Sequence, residues 1–599
     1  MAEAGNNGLM TTGHKALPKA KSNGAVSSYD SDKPAHIERL KRYYDTLKAN
    51  RGTFEGHWEE IAEYIVPNGM GFTGKRSVGE KKFTRMIDAT GVQANEHLAA
   101  GLHGLATNPA SKWFSLRMTD SALQEDPSVK QYLADVEDRM WSAMYAPGTN
   151  FTTALHETYL GYGAFGTSIM FVGEREAGGL LFQTRMLSEC IIDENAEGSV
   201  DTVFRCTEYT VRQMMQMAKQ GWTVSDRVKG YWEDQKYDEK IKVIHAVYPR
   251  EEREYGKKNR ENMPFASCYF EHEACHELEM SGVPEFPYLT PRWAKLPGEV
   301  YGRGPGMTAL PDVKMLQAMV LTCTKALQKN ADPPMWLPDD GHVGPVRTVP
   351  GGVNYYRGNR EVFLHPTNIQ GLEAAFKAIE ELRNRIRTTF FNDVLQFVRE
   401  VQITATEWNG RTQERMRLMG PMVGRLEAEL LGQVVTRVFG LLHRQGKLPP
   451  APDIIADQEF TVEYVSMLAS AQKQSQAEGI GNVIQFFAPF GPEAMAQIAQ
   501  QNLDVPSTFR WLWDLFNNNP KLLKNEDQIA AESQQAQMMQ LAQTAAPAMQ
   551  QGAAGVKSLA DAQAGGGIDL AALLAQTQRG AQGVPAVQRG MDQMQEMAQ

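Results

Sequence analysis

The sequence predicts an α+β fold that is predominantly helical and divided into more than one packing unit. Its 599 residues are several times the usual length of a domain, so a single compact core is not expected. Long segments with apolar residues at helical spacing flank a middle third of short β-branched or aromatic segments. The hydrophobic fraction of 42% and the charged fraction of 22% are ordinary for a folded protein.

The charge and the cysteine pattern argue against several classes of function. A net charge of −10 argues against strong general affinity for nucleic acid, because Lys and Arg supply that affinity by neutralising phosphates. Five scattered cysteines in a long chain favour reduced thiols over a disulfide framework. The longest apolar runs are too short to cross a bilayer, and residues 1–30 lack the apolar stretch of a secretion signal. We therefore expect no membrane partner and a product that stays in the cytoplasm of the cell that makes it.

The first part of the chain is predicted to be helical and the middle part to contain strands. Pro67 and Pro109 end helical stretches, and from Thr167 short extended segments alternate with Gly and charged turns. The predicted helices span residues 36–48, 54–65, 90–106, 128–145 and 151–162. The predicted strands span residues 168–172, 180–186, 200–206 and 241–248.

Two long helices with a small β-type insertion between them are predicted next. Apolar residues recur at three- and four-residue steps over 308–330 and 371–394, while 331–370 is rich in Pro, Gly and Asp with short extended pieces. A third long helix, 404–445, opens with a capping box of Thr404 and Glu407 and should kink at Gly420-Pro421. The chain is expected to be mostly helical from about 472 and becomes rich in Gln and Ala after 527.

A phosphate-binding loop is suggested by the spacing of Gly69, Gly74 and Lys75. Arg76 stands where Ser or Thr should hold magnesium, and a helix instead of a strand precedes the loop. A solvated basic loop is therefore the favoured interpretation.

A dinucleotide fingerprint is suggested by Gly161, Gly163 and Gly166. That fingerprint requires a strand before it and a helix after it, and here the predicted order is reversed. A helix-to-strand turn that needs small residues is the favoured interpretation.

A zinc metallopeptidase is the alternative function, because His272, Glu273 and His276 have the spacing of its metal site. The spacing works only on a helix, where both imidazoles face one ion. The preceding segment, residues 265–271, looks extended, so an exposed hairpin is the competing interpretation. Metal analysis of the purified protein would separate the two.

Three longer blocks of sequence carry a more specific signal than any of these short motifs. The first block contains Asp88-Ala-Thr-Gly, Leu98-Ala-Ala-Gly-Leu102 and Asn108-Pro-Ala-Ser-Lys-Trp-Phe114. The second contains Tyr301-Gly-Arg-Gly-Pro-Gly306, Leu310-Pro-Asp-Val-Lys314 and Asp332-Pro-Pro334. The third contains Thr404-Ala-Thr-Glu407, Arg411, Glu414-Arg415 and Leu448-Pro-Pro450. Together the blocks resemble the podovirus-type portal (head-tail connecting) family of bacteriophages. The resemblance covers about residues 35–500 and does not extend to the Gln- and Ala-rich tail.

The resemblance implies a portal-type subunit with a mixed α/β wing, a two-helix stem, a small β clip and a helical crown. On this chain the regions would be a disordered arm 1–34, a wing 35–300, stem helices 301–330 and 371–394, a clip 331–370, a channel loop 395–403, a long kinked helix 404–445, crown helices 446–526 and a helical or disordered tail 527–599.

The resemblance also implies a function that is structural and needs no catalytic residue, cofactor or metal. Such subunits form a ring, usually of twelve, at one capsid vertex, through which double-stranded DNA is packaged and ejected. The implied partners are capsid and scaffolding proteins, the terminase packaging motor and tail adaptor proteins, and the implied location is the virion after assembly in the host cytoplasm.

The segment from Gln396 to Ile403 is predicted to be the loop that projects into the channel. Gln396, Arg399 and Gln402 are the side chains expected to contact DNA there. A structural scaffold that oligomerises without passing DNA remains a third possibility, which a channel too narrow for duplex DNA would favour.

Overall fold

The computed structural model describes one continuous body of α-helices and β-sheets. The described residues are 33–69, 71–74, 86–110, 112–124, 126–175, 178–254, 257, 259–338, 345, 347, 349–356, 363–364, 370–395, 420, 422–455, 460–464, 509 and 513. All of them belong to the first of two compact units, Met1–Asn518 and Asn519–Gln599. The α+β class with a large helical share is confirmed.

In the first part of the chain the predicted helices at 90–106, 128–145 and 151–162 are confirmed, whereas those at 36–48 and 54–65 are parts of one continuous helix. The helices are α1 Lys33–Tyr64, α2 Thr90–Ala106, α3 Ser121–Gln124, α4 Pro127–Met144, α5 Phe151–Phe165, α6 Val211–Ala218, α7 Asp226–Glu233, α8 Pro305–Ala331, α9 Gln370–Thr389, α10 Asn392–Leu395 and α11 Gly432–Arg444. Short 3-10 turns lie at Pro67–Gly69, Arg260–Asn262 and Asp453–Ile455. Among the described helices, none is long and apolar enough to cross a membrane.

Local chemistry explains where individual helices begin and which face they bury. In α2, Ala94, Leu98 and Leu102 recur at four-residue steps and are buried, as expected of an amphipathic helix. Helix α4 begins where the Asp126 carboxylate accepts hydrogen bonds from the first free backbone amides, including that of Ser128. The sequence analysis did not identify α6 and α7, which are only two turns long.

The described strands form four sheets. The strands are β1 Phe114–Met118, β2 Ile169–Glu174, β3 Leu180–Arg185, β4 Cys190–Glu194, β5 Val200–Thr210, β6 Lys240–Pro249, β7 Phe265–Glu271, β8 Glu277–Val283, β9 Tyr288–Leu289, β10 Met335–Pro338, β11 Val353–Tyr356, β12 Phe363–Leu364 and β13 Phe460–Tyr464. The largest sheet is an antiparallel meander in the order β4-β5-β6-β7-β8, and a smaller sheet has the order β3-β2-β9. The predicted strands of the middle third are confirmed.

Helices cover both faces of the five-stranded sheet. On one face, Ile37 and Tyr44 of α1 pack with Ile244 and Phe270. On the other face, helices α6 and α7 pack with alternate residues of the same strands, including Val243. Burial of both faces explains why β6 is apolar along most of its length.

The two-stranded sheet joins distant parts of the chain. Strand β1 pairs antiparallel with β13, and Phe114 lies opposite Tyr464. The sequence analysis did not identify β13, which lies inside the range 446–526 that was expected to be helical. Alternating aromatic, β-branched and polar residues in β13 favour a strand when a partner is present.

Helices α8 and α9 and the small sheet between them match the predicted helix pair with its β-type insertion. In that sheet β10 pairs parallel with β11 and antiparallel with β12. The prediction that the second helix continues to Val394 is wrong, because α9 ends at Thr389. Phe391 adopts a left-handed backbone conformation with φ +57°, which interrupts the helix before α10 begins.

The described part of the predicted long helix contains an irregular turn. Residues 422–426 are helical, Glu427–Leu431 form a π-helical turn, and α11 follows directly. The backbone N–H of Gly432 donates to the carbonyl of Glu427, which is the five-residue step of a π turn. The helix ends at Arg444, close to the predicted end, and Gly446 follows with φ +64°. Thr404, Glu407 and Pro421, which carry the expected cap and kink, lie outside the described residues.

Candidate functional site

The phosphate-loop candidate is occupied by the protein's own carboxylate. Glu59 of α1 accepts hydrogen bonds through Oε2 from the backbone amides of Gly71 at 3.1 Å and Phe72 at 2.7 Å. These amides lie in the loop that would have to cradle a phosphate. Lys75 lies outside the described residues. The structure therefore gives no support to nucleotide binding here.

The dinucleotide-fingerprint candidate is a helix-to-strand turn, as predicted. Gly161 and Gly163 belong to α5, and Gly166 ends that helix with φ +74° before β2 begins. A side chain at Gly166 would collide with the backbone of Arg303 and Gly304. The glycine is therefore required both by its left-handed conformation and by the close approach of a second segment.

The zinc-peptidase candidate lies on the hairpin turn between β7 and β8, not on a helix. The Nε2 atom of His272 lies 3.3 Å from Asp45 Oδ1, whereas that of His276 lies 3.0 Å from the carbonyl oxygen of Thr223. Glu273 forms an ion pair with Arg227. The two imidazoles thus contact different elements, and the helical geometry that the metal site needs is absent. Among the described residues no cluster of three potential metal ligands occurs.

Contacts at both ends of α8 and α9, which we call the helix pair, show how the two helices run relative to each other. At one end Arg385 of α9 donates to Asp312 of α8 through Nη2 at 3.0 Å. At the other end, β10 directly follows α8 and pairs with β12, which precedes α9. The two helices therefore run antiparallel, with the small sheet at the far tip.

Three side chains anchor the helix pair to α2. Gln317 of α8 accepts the backbone N–H groups of Ile87 and Asp88 through Oε1, at 2.7 and 2.8 Å, and donates to the Asp88 carbonyl through Nε2 at 2.7 Å. Arg383 of α9 donates to Asp88 Oδ2 at 2.7 Å, and Thr90 N–H donates to Oδ1. We call Asp88, Gln317 and Arg383 the Asp88 junction.

The Asp88 junction is held by a charged carboxylate. Burial alone would raise the pKa of Asp88, but the hydrogen bonds from Thr90 and Arg383 outweigh it and hold the pKa below its ordinary value. The first turn of α2 and helix α9 therefore meet at one ionised group, and α8 contacts the backbone of the same residue through Gln317.

A second junction joins the helix after the predicted channel loop to the sheet that contains β9 and to the sheet that contains β4. Arg292 follows β9 and its side chain is only 2% exposed. Its guanidinium donates to Glu194 Oε2 at 2.7 Å and to Glu429 Oε1 at 2.8 Å, and its backbone N–H donates to Glu429 Oε2. Glu429 lies in the π-helical turn. We call Arg292, Glu194 and Glu429 the Arg292 junction.

The Arg292 junction is an ionised network. Burial would lower the pKa of Arg292, but the hydrogen bonds and charges of Glu429 and Glu194 outweigh it and raise the pKa above its ordinary value. The guanidinium also donates to the carbonyl oxygens of Gly198 and Val300. Its donors are therefore shared among three separate segments of the chain, at 194–198, 300 and 429.

A third ionic contact lies further along the same helix. Arg437 and Arg444 of α11 both pair with Glu285, at 2.7 and 2.6 Å. Arg437 also donates to the backbone carbonyl of Glu285. Together with the Arg292 junction, this contact fixes the helical segment 422–444 along its length.

The predicted DNA-contacting residues Gln396, Arg399 and Gln402 lie outside the described residues. The segments that flank them are anchored near α2 and α5. Leu395 is buried against Gly101 of α2, and Tyr162 of α5 donates to the carbonyl oxygen of Met422 at 3.5 Å. The position of the loop itself stays a prediction.

Comparison with known proteins identifies the family. The family model described as bacteriophage head to tail connecting protein matches residues 38–523. This chain belongs to that family. A probable portal protein of Bordetella phage BPP-1 is 32% identical over 516 residues, which is 84% of this chain and 91% of the relative. The portal protein of Salmonella phage epsilon15 is 30% identical over 549 residues, 88% and 96% of the two chains. The family membership and phage portal function predicted from the sequence are confirmed.

The structure explains why some residues of the family blocks are small or acidic. Asp88, in the first block, holds the junction described above. A side chain at Gly306, in the second block, would collide with the backbone of Ala164 at the end of α5. Sequence reasoning missed the Arg292 junction, because Arg292 and Glu429 are 137 residues apart and neither stands in a recognisable motif.

Proposed function

We propose that twelve copies of this chain form a closed ring at one capsid vertex, through which double-stranded DNA is packaged and ejected. The match to the head to tail connecting family over most of the chain carries the proposal. A ring requires a heterologous contact, in which one surface of a subunit meets a different surface of the next until the rotation closes. The antiparallel helix pair, with two distinct edges, suits such a contact.

The regional assignment follows from the same architecture. Residues 35–300 form the wing, α8 and α9 the stem, 331–370 the clip, 404–445 the long helix, and 446–526 the crown. The small sheet at the far tip of the helix pair supports the assignment of the clip. The clip binds the packaging motor and the tail adaptor proteins, and the wing and crown meet capsid and scaffolding proteins.

The role is structural, and the subunit resides in the virion after assembly in the host cytoplasm. The packaging motor supplies the ATP hydrolysis. The loop at Glu59, the Gly166 turn and the His272 hairpin are each explained by contacts within the fold, which supports a chain without a catalytic step.

The pairing of the arginines of α9 suits a conduit that must not retain DNA. The arginines of α9 are each paired with a carboxylate of the same chain: Arg383 with Asp88, Arg385 with Asp312, and Arg387 with Glu380. Unpaired cations would neutralise phosphates and add affinity that slows passage. The overall net charge of −10 acts in the same direction.

The channel loop carries the DNA contacts, with Arg399 and Gln402 touching phosphates and Gln396 beside them. The double substitution Arg399→Ala/Gln402→Ala in the phage should reduce genome packaging or retention while rings still assemble. Arg212→Ala, on the exposed face of wing helix α6, is the matched control and should have no effect. Unchanged packaging and retention in the double variant would refute the loop assignment.

A further inference from the structure

The outer edges of the helix pair carry apolar side chains at matching heights. Leu321 lies nine residues after Asp312, and Phe376 lies nine residues before Arg385. Because an α-helix has 3.6 residues per turn, nine residues are about two and a half turns. Asp312 and Arg385 face each other across the pair, so Leu321 and Phe376 point away from each other, at the same height on opposite edges.

Both edge residues are exposed although they are large and apolar. Leu321 is 39% exposed and Phe376 is 46% exposed. Other faces of the same helices bury Leu316 of α8 and Leu382 of α9. Single exposed apolar residues are common on protein surfaces, so exposure alone identifies no partner.

Opposite charges accompany the two apolar residues. Lys325 lies one turn beyond Leu321 on α8, and Glu373 lies one turn before Phe376 on α9, so each charge shares an edge with its apolar neighbour. Counted from the Asp312–Arg385 pair, Lys325 and Glu373 are level to within one residue, about 1.5 Å along the axis. Both are exposed, and among the described residues neither takes part in an ion pair. We call Leu321 and Lys325 the α8 edge, and Glu373 and Phe376 the α9 edge.

The geometry points to a second copy of this chain as the partner of these edges: the α8 edge of one subunit packs against the α9 edge of the next. Neighbours in a ring are related by rotation, so surfaces at the same height meet when the helix pairs stand side by side. Leu321 then contacts Phe376, and Lys325 pairs with Glu373. The inference rests on the proposed ring and specifies which residues close it.

Charge reversal in the full-length protein tests this contact. Lys325→Glu and Glu373→Lys each place like charges opposite one another, and each should raise the concentration needed for half-assembly by roughly tenfold. The double variant should return to within about twofold of the wild type, because the pair is restored in the opposite sense. Native mass spectrometry measures the ring fraction, and Lys219→Glu on the exposed end of α6 is the control that should change nothing.

Mixing the two single variants gives a sharper result. In a ring where the variants alternate, every α8 edge meets an α9 edge of opposite charge, so an equal mixture should assemble near the wild-type concentration although each variant alone needs a higher one. Rings that form normally in both single variants contradict this contact but leave the proposed ring intact. Impaired assembly with normal thermal unfolding, and no recovery in the mixture or the double variant, also contradicts the contact. A wild-type chain that stays monomeric refutes the ring and the contact together.

Discussion

Arg292 and Glu429 are joined by hydrogen bonds from both the side chain and the backbone of Arg292, which connect the segment after β9 to the π-helical turn. Arg292 Nη2 lies 2.8 Å from Glu429 Oε1, and the Arg292 backbone N–H donates to Oε2 at the same distance. A guanidinium matches a carboxylate with its planar set of donors, which an ammonium group cannot reproduce. The contact holds the helix that follows the predicted channel loop against the segment after β9.

Replacement of Arg292 should strongly destabilise the fold. Arg292→Met removes the cationic partner of Glu429 and one of the two cationic partners of Glu194, and it takes away the donor to two carbonyl oxygens, which should cost about 3–5 kcal/mol. Arg292→Lys keeps the charge but not the paired geometry and should recover only part of the loss. Thermal unfolding measures both. The control Arg303→Ala breaks the exposed Arg303–Glu299 pair and should cost at most about 1 kcal/mol, so equal losses in Arg292→Met and the control would contradict the role of the junction.

The Asp88 junction makes a separate prediction about α8. Gln317→Ala leaves the amides of Ile87 and Asp88 and the Asp88 carbonyl without their partner, and buried unsatisfied groups cost about 1–3 kcal/mol each. We expect a loss of at least about 2 kcal/mol in urea unfolding. Gln328→Ala, on the exposed end of α8, should be close to neutral. A Gln317 variant as stable as the Gln328 variant would show that the junction contributes little.

Close backbone packing between α5 and α8 predicts intolerance of a single methyl group. A Cβ at Gly306 would collide with the carbonyl oxygen of Ala164 and lie 2.9 Å from its Cα. Gly306→Ala should therefore cost about 1–3 kcal/mol or more. At Gly104 in α2 nothing lies within 4 Å of the added atom, so Gly104→Ala should raise stability by about 0.5–1 kcal/mol. Opposite signs of the two shifts in melting temperature are the expected result.

A buried histidine predicts a pH dependence of stability. His245 lies between Tyr288 and Ser267, at 2.7 and 2.9 Å, and stacks on Tyr269. Burial, with the charges of Arg205 and Arg185, lowers the pKa of His245 to about 3. In the unfolded chain the group titrates near 6.5. Above pH 6.5 the imidazole is neutral in both the folded and the unfolded state, so its contribution to the stability of the fold is fully present.

As the pH falls from 6.5 towards 3, the His245 imidazole binds a proton in the unfolded state but not in the folded state. Stability of roughly 5 kcal/mol is therefore lost over this interval. The melting temperature of the wild type should exceed that of His245→Gln at pH 7, and the difference should shrink as the pH is lowered to 4. His97→Gln, at an exposed site on α2, should show no such trend. A constant difference for His245→Gln would mean that the imidazole titrates normally.

Elements that depend on local sequence were predicted well. Helix α2 was predicted with its observed bounds, because its apolar residues recur at one helical period and a Pro follows it. The continuation of α9 to Val394 was wrong, because the left-handed conformation of Phe391 comes from tertiary packing and has no local signal such as Gly. Strand β13 was missed for the same reason, since its partner β1 lies far away in the chain.

In the candidate functional sites, too, features set by local sequence could be predicted and contacts between distant segments could not. The His272 hairpin and the Gly166 turn could be judged from the elements that flank each motif. The junctions of Arg292 and Asp88 could not be predicted, because single charged residues acquire their partners only when distant segments meet. The contacts of Arg399 and Gln402 remain predictions from the resemblance to the portal family.

End-on electron microscopy of the purified full-length protein tests the central claim most directly. Class averages should show a closed ring of subunits around an axial channel wide enough for duplex DNA. A closed ring whose channel is too narrow for duplex DNA would contradict the conduit and favour a structural scaffold. A chain that stays monomeric at high concentration, even with its capsid and scaffolding proteins, would contradict the ring itself.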